Sequence, residues 1–206
     1  KLIKDFGKSM TLSFSAHLAV VSGLLTKVGS DFEKSYNTIR ATTGKTGDEL
    51  QGLENTFKSA LGSMSAPAEQ VAEAVSKLNS RLELTGKPLE DLSKQVVKLA
   101  RVTKEDLTAQ INAETRVFGD WSISTDKQSA ALDYLFKVHQ KTGIAVTELS
   151  ELIVQFGSPL RSLGFNMEQA AAMMGRFEKE GVNLQSAMPG FKMALAQFAK
   201  DGVSDT

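Results

Sequence analysis

The chain has 206 residues and 41% hydrophobic content, enough for one sizeable domain or two small ones whose core needs neither disulfides nor metal. It has no cysteine, which excludes thiolate metal sites, thiol nucleophiles and structural disulfides and is compatible with synthesis in a reducing cytoplasm. Its 24 basic and 24 acidic residues cancel and are interspersed, so there is no basic footprint for sequence-specific nucleic-acid recognition or for anionic lipid.

Proline is rare and apolar residues recur at steps of three and four almost everywhere, so the helical period dominates and alternating strand patterns are missing. The expected class is all-α: a multi-helix bundle of successive helical hairpins with one long N-terminal helix. The opening at Lys1 and the polar end at Asp205 and Thr206 read as those of a fragment of something longer. The most apolar stretch, Phe14 to Leu25, holds Ser15, His17, Ser22 and Gly23 and is shorter than the roughly 20 residues of a bilayer span. Asp5, Lys8 and Ser9 separate the charged start from that stretch, unlike a signal peptide.

The first element carries Phe14, Leu18, Val21, Leu25, Val28, Phe32, Tyr36 and Ile39 in one continuous stripe, which predicts a helix over roughly Thr11 to Thr42. Gly23 and Gly29 interrupt it, each at up to about 1 kcal/mol relative to alanine, which points to close packing against a neighbour. Residues 1–43 are therefore read as a long amphipathic helix and residues 44–206 as a helical bundle core, together one continuous domain. The stripe from Phe14 through Leu18, Val21, Leu25 and Val28 to Phe32 is the candidate interaction surface, with Trp121 as a further anchor.

Shorter helices follow, each with a single apolar face. Their stripes are Leu50, Leu53, Phe57 and Leu61 over Asp48 to Leu61; Val71, Val75, Leu78 and Leu82 over Pro67 to Leu82; and Leu89, Leu92, Val96 and Leu99. Next come Leu107, Ile111, Val117, Phe118 and Trp121; then Leu132, Leu135, Phe136 and Val138; then Leu149, Leu152, Ile153 and Phe156. The last two carry Met167, Ala170, Met174 and Phe177, and Phe191, Leu195 and Phe198.

The pairs Thr43-Gly44, Thr85-Gly86 and Thr142-Gly143 are expected to close helices, each followed by an acid in the next first turn: Glu49, Asp91 and Glu148. Asn166 and Asn183 are expected N-caps, and Pro67 and Pro88 mark helix starts. Pro159 predicts a kink or break, and Pro189 is placed in or near the first turn of the last helix.

The residues that could carry chemistry read as structural. Gly44-Lys45-Thr46 matches the end of a phosphate loop, but Ile39 stands where the loop needs glycine and no strand precedes it. His17 and His139 lack metal-ligand spacing and read as packing residues at the core boundary, so no metal or cofactor is expected. No Gly-x-Ser-x-Gly elbow supports a Ser-His-Asp triad. The carboxylate pairs Glu49 with Glu54 and Glu178 with Glu180 read as exposed helix charge, and Met167, Met173, Met174 and Met188 as core.

The run Asp31-Phe32-Glu33-Lys34-Ser35-Tyr36-Asn37-Thr38-Ile39-Arg40-Ala41-Thr42-Thr43-Gly44 with Glu49-Leu50, and its lead-in Phe6-Gly7-Lys8-Ser9-Met10, resembles the core region of phage tail tape-measure proteins. The resemblance continues through Ala68 to Ala74, Val96 to Ala100, Leu107-Thr108, Glu148 to Leu152, Leu163 to Phe165 and Glu180 to Val182. It departs at Val182-Asn183-Leu184, where the family usually has small residues, and at Pro189.

The resemblance implies a non-enzymatic role in tail length determination, tail-tube assembly and DNA ejection, in the virion tail lumen after synthesis in the bacterial cytoplasm. The partners it implies are the tail-tube protein, tail assembly chaperones and baseplate or tip proteins, with contact to the host membrane and self-association left open. Two rival functions stay open: a membrane-active module built on Phe14 to Leu25, and a cell-wall hydrolase.

Overall fold

The computed structural model describes residues 24–201, with side chains from Phe32 onward except at 184–185, 195 and 198–201. Among the described residues there are ten α-helices and no strand. They are α1 (Leu24–Thr43), α2 (Gly47–Gly62), α3 (Ala68–Leu82), α4 (Gly86–Thr103), α5 (Leu107–Asp120), α6 (Thr125–Thr142), α7 (Val146–Gln155), α8 (Gly157–Ser162), α9 (Met167–Lys179) and α10 (Leu184–Asp201).

Each helix buries one stripe, as its three- and four-residue spacing dictates. Phe57, Leu78, Leu89, Phe118, Leu149 and Met174 are among the fully buried side chains of a single core cluster. The most extensive packing joins α1 with α3, two apart in the chain, followed by α3 with α4 and α5 with α7. α4 packs on α5 and α6 and so links the first four helices to the rest, while α10 rests on α9.

Local sequence sets the helix ends. The Asp106 side chain accepts the Ala109 N–H at 2.8 Å to start α5. Asn166 and Gln169 form a reciprocal capping box at α9, with bonds of 2.8 and 2.9 Å. Asn183 accepts the Ser186 N–H at 3.0 Å at the start of α10. Gly143, at φ +85°, closes α6 in the left-handed conformation that glycine adopts without a Cβ penalty.

Three expectations are corrected. Thr85-Gly86 opens α4 instead of closing α3; Glu83 takes the left-handed position, and the buried Asn79 amide donates to Leu84 O at 2.9 Å across the turn. Asp91 is the sixth residue of α4, beyond its first turn, and pairs with Lys87 at 2.6 Å and Lys94 at 3.1 Å. The break expected near Pro159 is present at Phe156, which ends α7 and starts α8, so that the proline is accommodated within the first turn that follows. Pro189 is the sixth residue of α10, inside the helix and not at its start.

Candidate functional site

Of the predicted interaction surface, Phe14, Leu18 and Val21 lie outside the described residues, as do the side chains of Leu25 and Val28 and the whole of His17. Phe32 is half-buried and packs edge-on against Tyr36 and Phe57, with ring centroids 6.2 and 5.7 Å away. Tyr36 meets Phe57 at 5.8 Å and carries the Lys58 ammonium over its face. The end of the stripe is thus the joint by which α1 docks on α2.

Trp121 is half-buried elsewhere in the bundle, under the Arg161 guanidinium at 5.0 Å, and its ring lies against Gly157. A Cβ at Gly157 would come within 3.2 Å of that ring, so the tryptophan sits where it does because position 157 has no side chain. The structure does not bring Phe32 and Trp121 together: their ring partners belong to different helices.

The arrangement that sequence reasoning missed is the seam between α5 and α7. Glu105, in the turn before α5, accepts the Val146 and Thr147 backbone N–H groups at 2.9 and 2.7 Å, capping α7 from a distance in sequence. Trp121, at the other end of α5, lies by Gly157, just past the end of α7. With both starts joined by Glu105 and both ends joined by Trp121, α5 and α7 run side by side in the same direction. Parallel helices place two positive dipole ends together, and the Glu105 carboxylate offsets them.

Glu114, 1% exposed, stands midway along α5 on the face that also carries Trp121, and so toward α7, given 100° per residue. Gln110, one turn earlier and wholly buried, donates Nε2–H to Glu114 Oε1 at 2.9 Å. Glu114 Oε2, Gln110 Oε1 and Trp121 Nε1 have no hydrogen-bond partner among the described residues. Burial pushes the Glu114 carboxyl up to about 8; the Gln110 hydrogen bond opposes this and the Glu105 charge adds to it. At Glu105 burial also pushes upward, but the hydrogen bonds from Thr147 and Val146 outweigh it and hold that carboxyl below its usual range. The sequence did carry a signal for Glu114: it stands three residues after Ile111 and four before Phe118, inside the apolar stripe.

The remaining candidates fall on ordinary structural positions. Gly44 takes a left-handed conformation after α1, and Lys45 pairs with the exposed Glu49 at 3.2 Å. Glu180 is exposed and pairs with Arg176 at 2.8 Å. His139 stacks on Phe136, and its Nδ1 lies 2.7 Å from Ile144 O, a carbonyl that can only accept. Met167, Met174 and Met188 are buried in the core, and Met173 packs against it. Among the described residues no group of three or more His, Asp or Glu side chains is placed to hold a metal, and no helix is long and apolar enough to cross a membrane.

A family model described as phage-related minor tail protein matches residues 55–205. The chain is 23% identical over 199 residues to a tape measure protein of Pneumococcus phage Dp-1, covering 96% of this chain and 17% of that protein's length. No solved structure matches the chain.

Proposed function

We propose a function from one premise: the chain belongs to the phage-related minor tail protein family, and its role is structural. The reading is a segment of a tail tape-measure protein that takes part in tail length determination, tail-tube assembly and DNA ejection. The observation that carries it is the likeness to a tape measure protein along 96% of the chain. Because the chain spans only 17% of that relative, the role of the whole protein is part of the proposal. So are the tail lumen as its location and the bacterial cytoplasm as its place of synthesis.

The mode of action is contact between proteins, without catalysis. Support comes from the side chains that could do chemistry: the exposed carboxylates Glu49 and Glu180 form ion pairs with Lys45 and Arg176, four residues away, and His139 is held against Phe136. The partners are the tail-tube protein, tail assembly chaperones and baseplate or tip proteins. We assign their contacts to the stripe of Phe14, Leu18, Val21, Leu25 and Val28, with Phe32 as the point where that stripe joins the bundle and Trp121 as a second anchor. Residues 1–43 and 44–206 act as one continuous domain, a reading supported by the packing of α1 on α3.

The test is an in-frame deletion of residues 44–201 in the parent gene, with tail lengths read by electron microscopy. A ruler counted at about 1.5 Å per helical residue loses about 240 Å of tail. Normal-length tails with impaired DNA delivery would confine the segment to assembly and exit, and normal, infectious virions would sink the proposal.

A further inference from the structure

Glu114 is a buried acid with no cation to balance it. Among the described residues no charged group on an element packed against α5 forms an ion pair with Glu114. On α3, Glu73 accepts from Thr108 and lies 3.8 Å from Lys77, and Arg81 donates to Thr115 Oγ1 at 2.5 Å and to Asn112 O at 3.3 Å. Thr108, Asn112 and Thr115 form the face of α5 opposite Gln110 and Glu114, given 100° per residue. On α4, Lys87, Glu90, Asp91 and Lys94 form their own ion-pair network, the exposed Arg101 donates to Ser65 O, and Lys98 is half-buried with no ion pair to Glu114. On α7, Glu148 and Glu151 are exposed. That leaves Glu105, a second negative charge, fixed at the α7 N-terminus by two backbone N–H groups.

Geometry concentrates the consequence in one place. The seam is pinned at its start by Glu105 and at its end by Trp121 against Gly157, and between them Gln110 Oε1 and Glu114 Oε2 are unpartnered on one face of α5. A neutral carboxyl is tolerated there, since it needs one partner and has Gln110. A carboxylate is not: it needs several donors or a cation, and Glu114 accepts one amide hydrogen, while the buried Ser150 Oγ on α7 and Trp121 Nε1 have no partner and so do not donate to it.

We propose that the α5–α7 seam is a protonation-controlled joint: the two helices stay packed while Glu114 carries a proton, and loss of that proton releases α5 from α7. Ionisation breaks the O–H bond of the carboxyl, the proton passes to water, and the new charge gains hydration only by parting the two helices. This joint does not depend on the tail reading, because it follows from the packing of the chain itself.

Hydrogen exchange of the 206-residue chain between pH 5 and 8, corrected for intrinsic rates and read by mass spectrometry, tests it. Protection in α5 and α7 is expected to fall by up to about tenfold per pH unit across that range, while α2 and α3 keep theirs. Glu114→Gln, which stays neutral, is expected to abolish the pH dependence while leaving the helices folded by circular dichroism. Should the glutamine variant fail to fold, Glu114→Met serves the same purpose without polar atoms. The joint is overturned by the same pH dependence in a folded neutral variant, by uniform loss of protection along the chain, or by protection that does not change with pH.

Discussion

Glu105 Oε2 accepts the backbone N–H of Thr147 at 2.7 Å, an N-terminal cap delivered to α7 from 42 residues upstream. α7 has Ala145 at its own N-cap position, which offers no side-chain acceptor, so the cap that its sequence lacks comes from another turn of the bundle.

Removing that cap gives the first prediction. Glu105→Gln keeps the shape but weakens both bonds, and a loss of about 1–2 kcal/mol is expected at pH 7 from urea denaturation. The carboxyl is held below its usual value in the fold, so its contribution is present above the ordinary carboxylate range and is lost as pH falls through the folded value. The gap between wild type and variant therefore closes in acid. A gap that stays constant into acid would show that charge plays no part in the cap.

Gly175 on α9 is the second test. A Cβ there would run into Val138 Cγ1 and lie 3.2 Å from Thr142 Cγ2, so α6 and α9 approach as closely as they do because position 175 has no side chain. Alanine gains about 1 kcal/mol in helix propensity, but Val138 is stiff at χ1 and cannot swing away, so overpacking at about 1–3 kcal/mol wins. Gly175→Ala is expected to lower the urea midpoint, and Val138→Ala in the same chain is expected to recover much of the loss. Midpoints that simply add would mean that the two positions do not touch.

The aromatic cluster supplies the third. Phe57 is fully buried between Phe32 and Tyr36, and Phe57→Ala is expected to cost about 3–5 kcal/mol. Phe32 is half-buried and its truncation is expected to cost about 1–2 kcal/mol, since less area leaves water in the first place. Equal losses in thermal or chemical unfolding would show that α1 docks through Phe32 far more tightly than its exposure implies.

These tests also mark what the sequence could and could not convey. Stripes such as Val71, Val75, Leu78 and Leu82 gave the helices, because a helix is a local object with a fixed period. Asn166 and Asn183 were legible as caps for the same reason: donor and acceptor lie three residues apart. Glu105 was not legible, since a cap 42 residues from its helix has no local pattern. The turn at Glu83 was misread because glycine at 86 looks like a helix end, whereas a side-chain bond from Asn79 to Leu84 O spans the turn while a glutamate holds the left-handed position. Gly175 reads as a small residue in a stripe until its neighbours on α6 are known.

The last prediction concerns stability at Glu114. Its folded carboxyl is raised to about 8 from an ordinary 4.5, so the fold binds the proton more tightly than the open chain does. Below the ordinary value both states are protonated and Glu114 contributes no pH dependence. As pH rises beyond it, stability falls by about 1.4 kcal/mol per pH unit until the folded value is reached, and then levels off. The full loss is roughly 5 kcal/mol, a large share of the 5–15 kcal/mol typical of a folded domain. Glu114→Gln does not titrate, so its stability relative to wild type is expected to rise from near parity at pH 4.5 to a maximum advantage near pH 8. Urea unfolding followed by the fluorescence of Trp121, the single tryptophan, reads this directly. A variant that is less stable than wild type by the same amount at every pH would mean that the acid is hydrated in the fold, and that burial does not set its protonation.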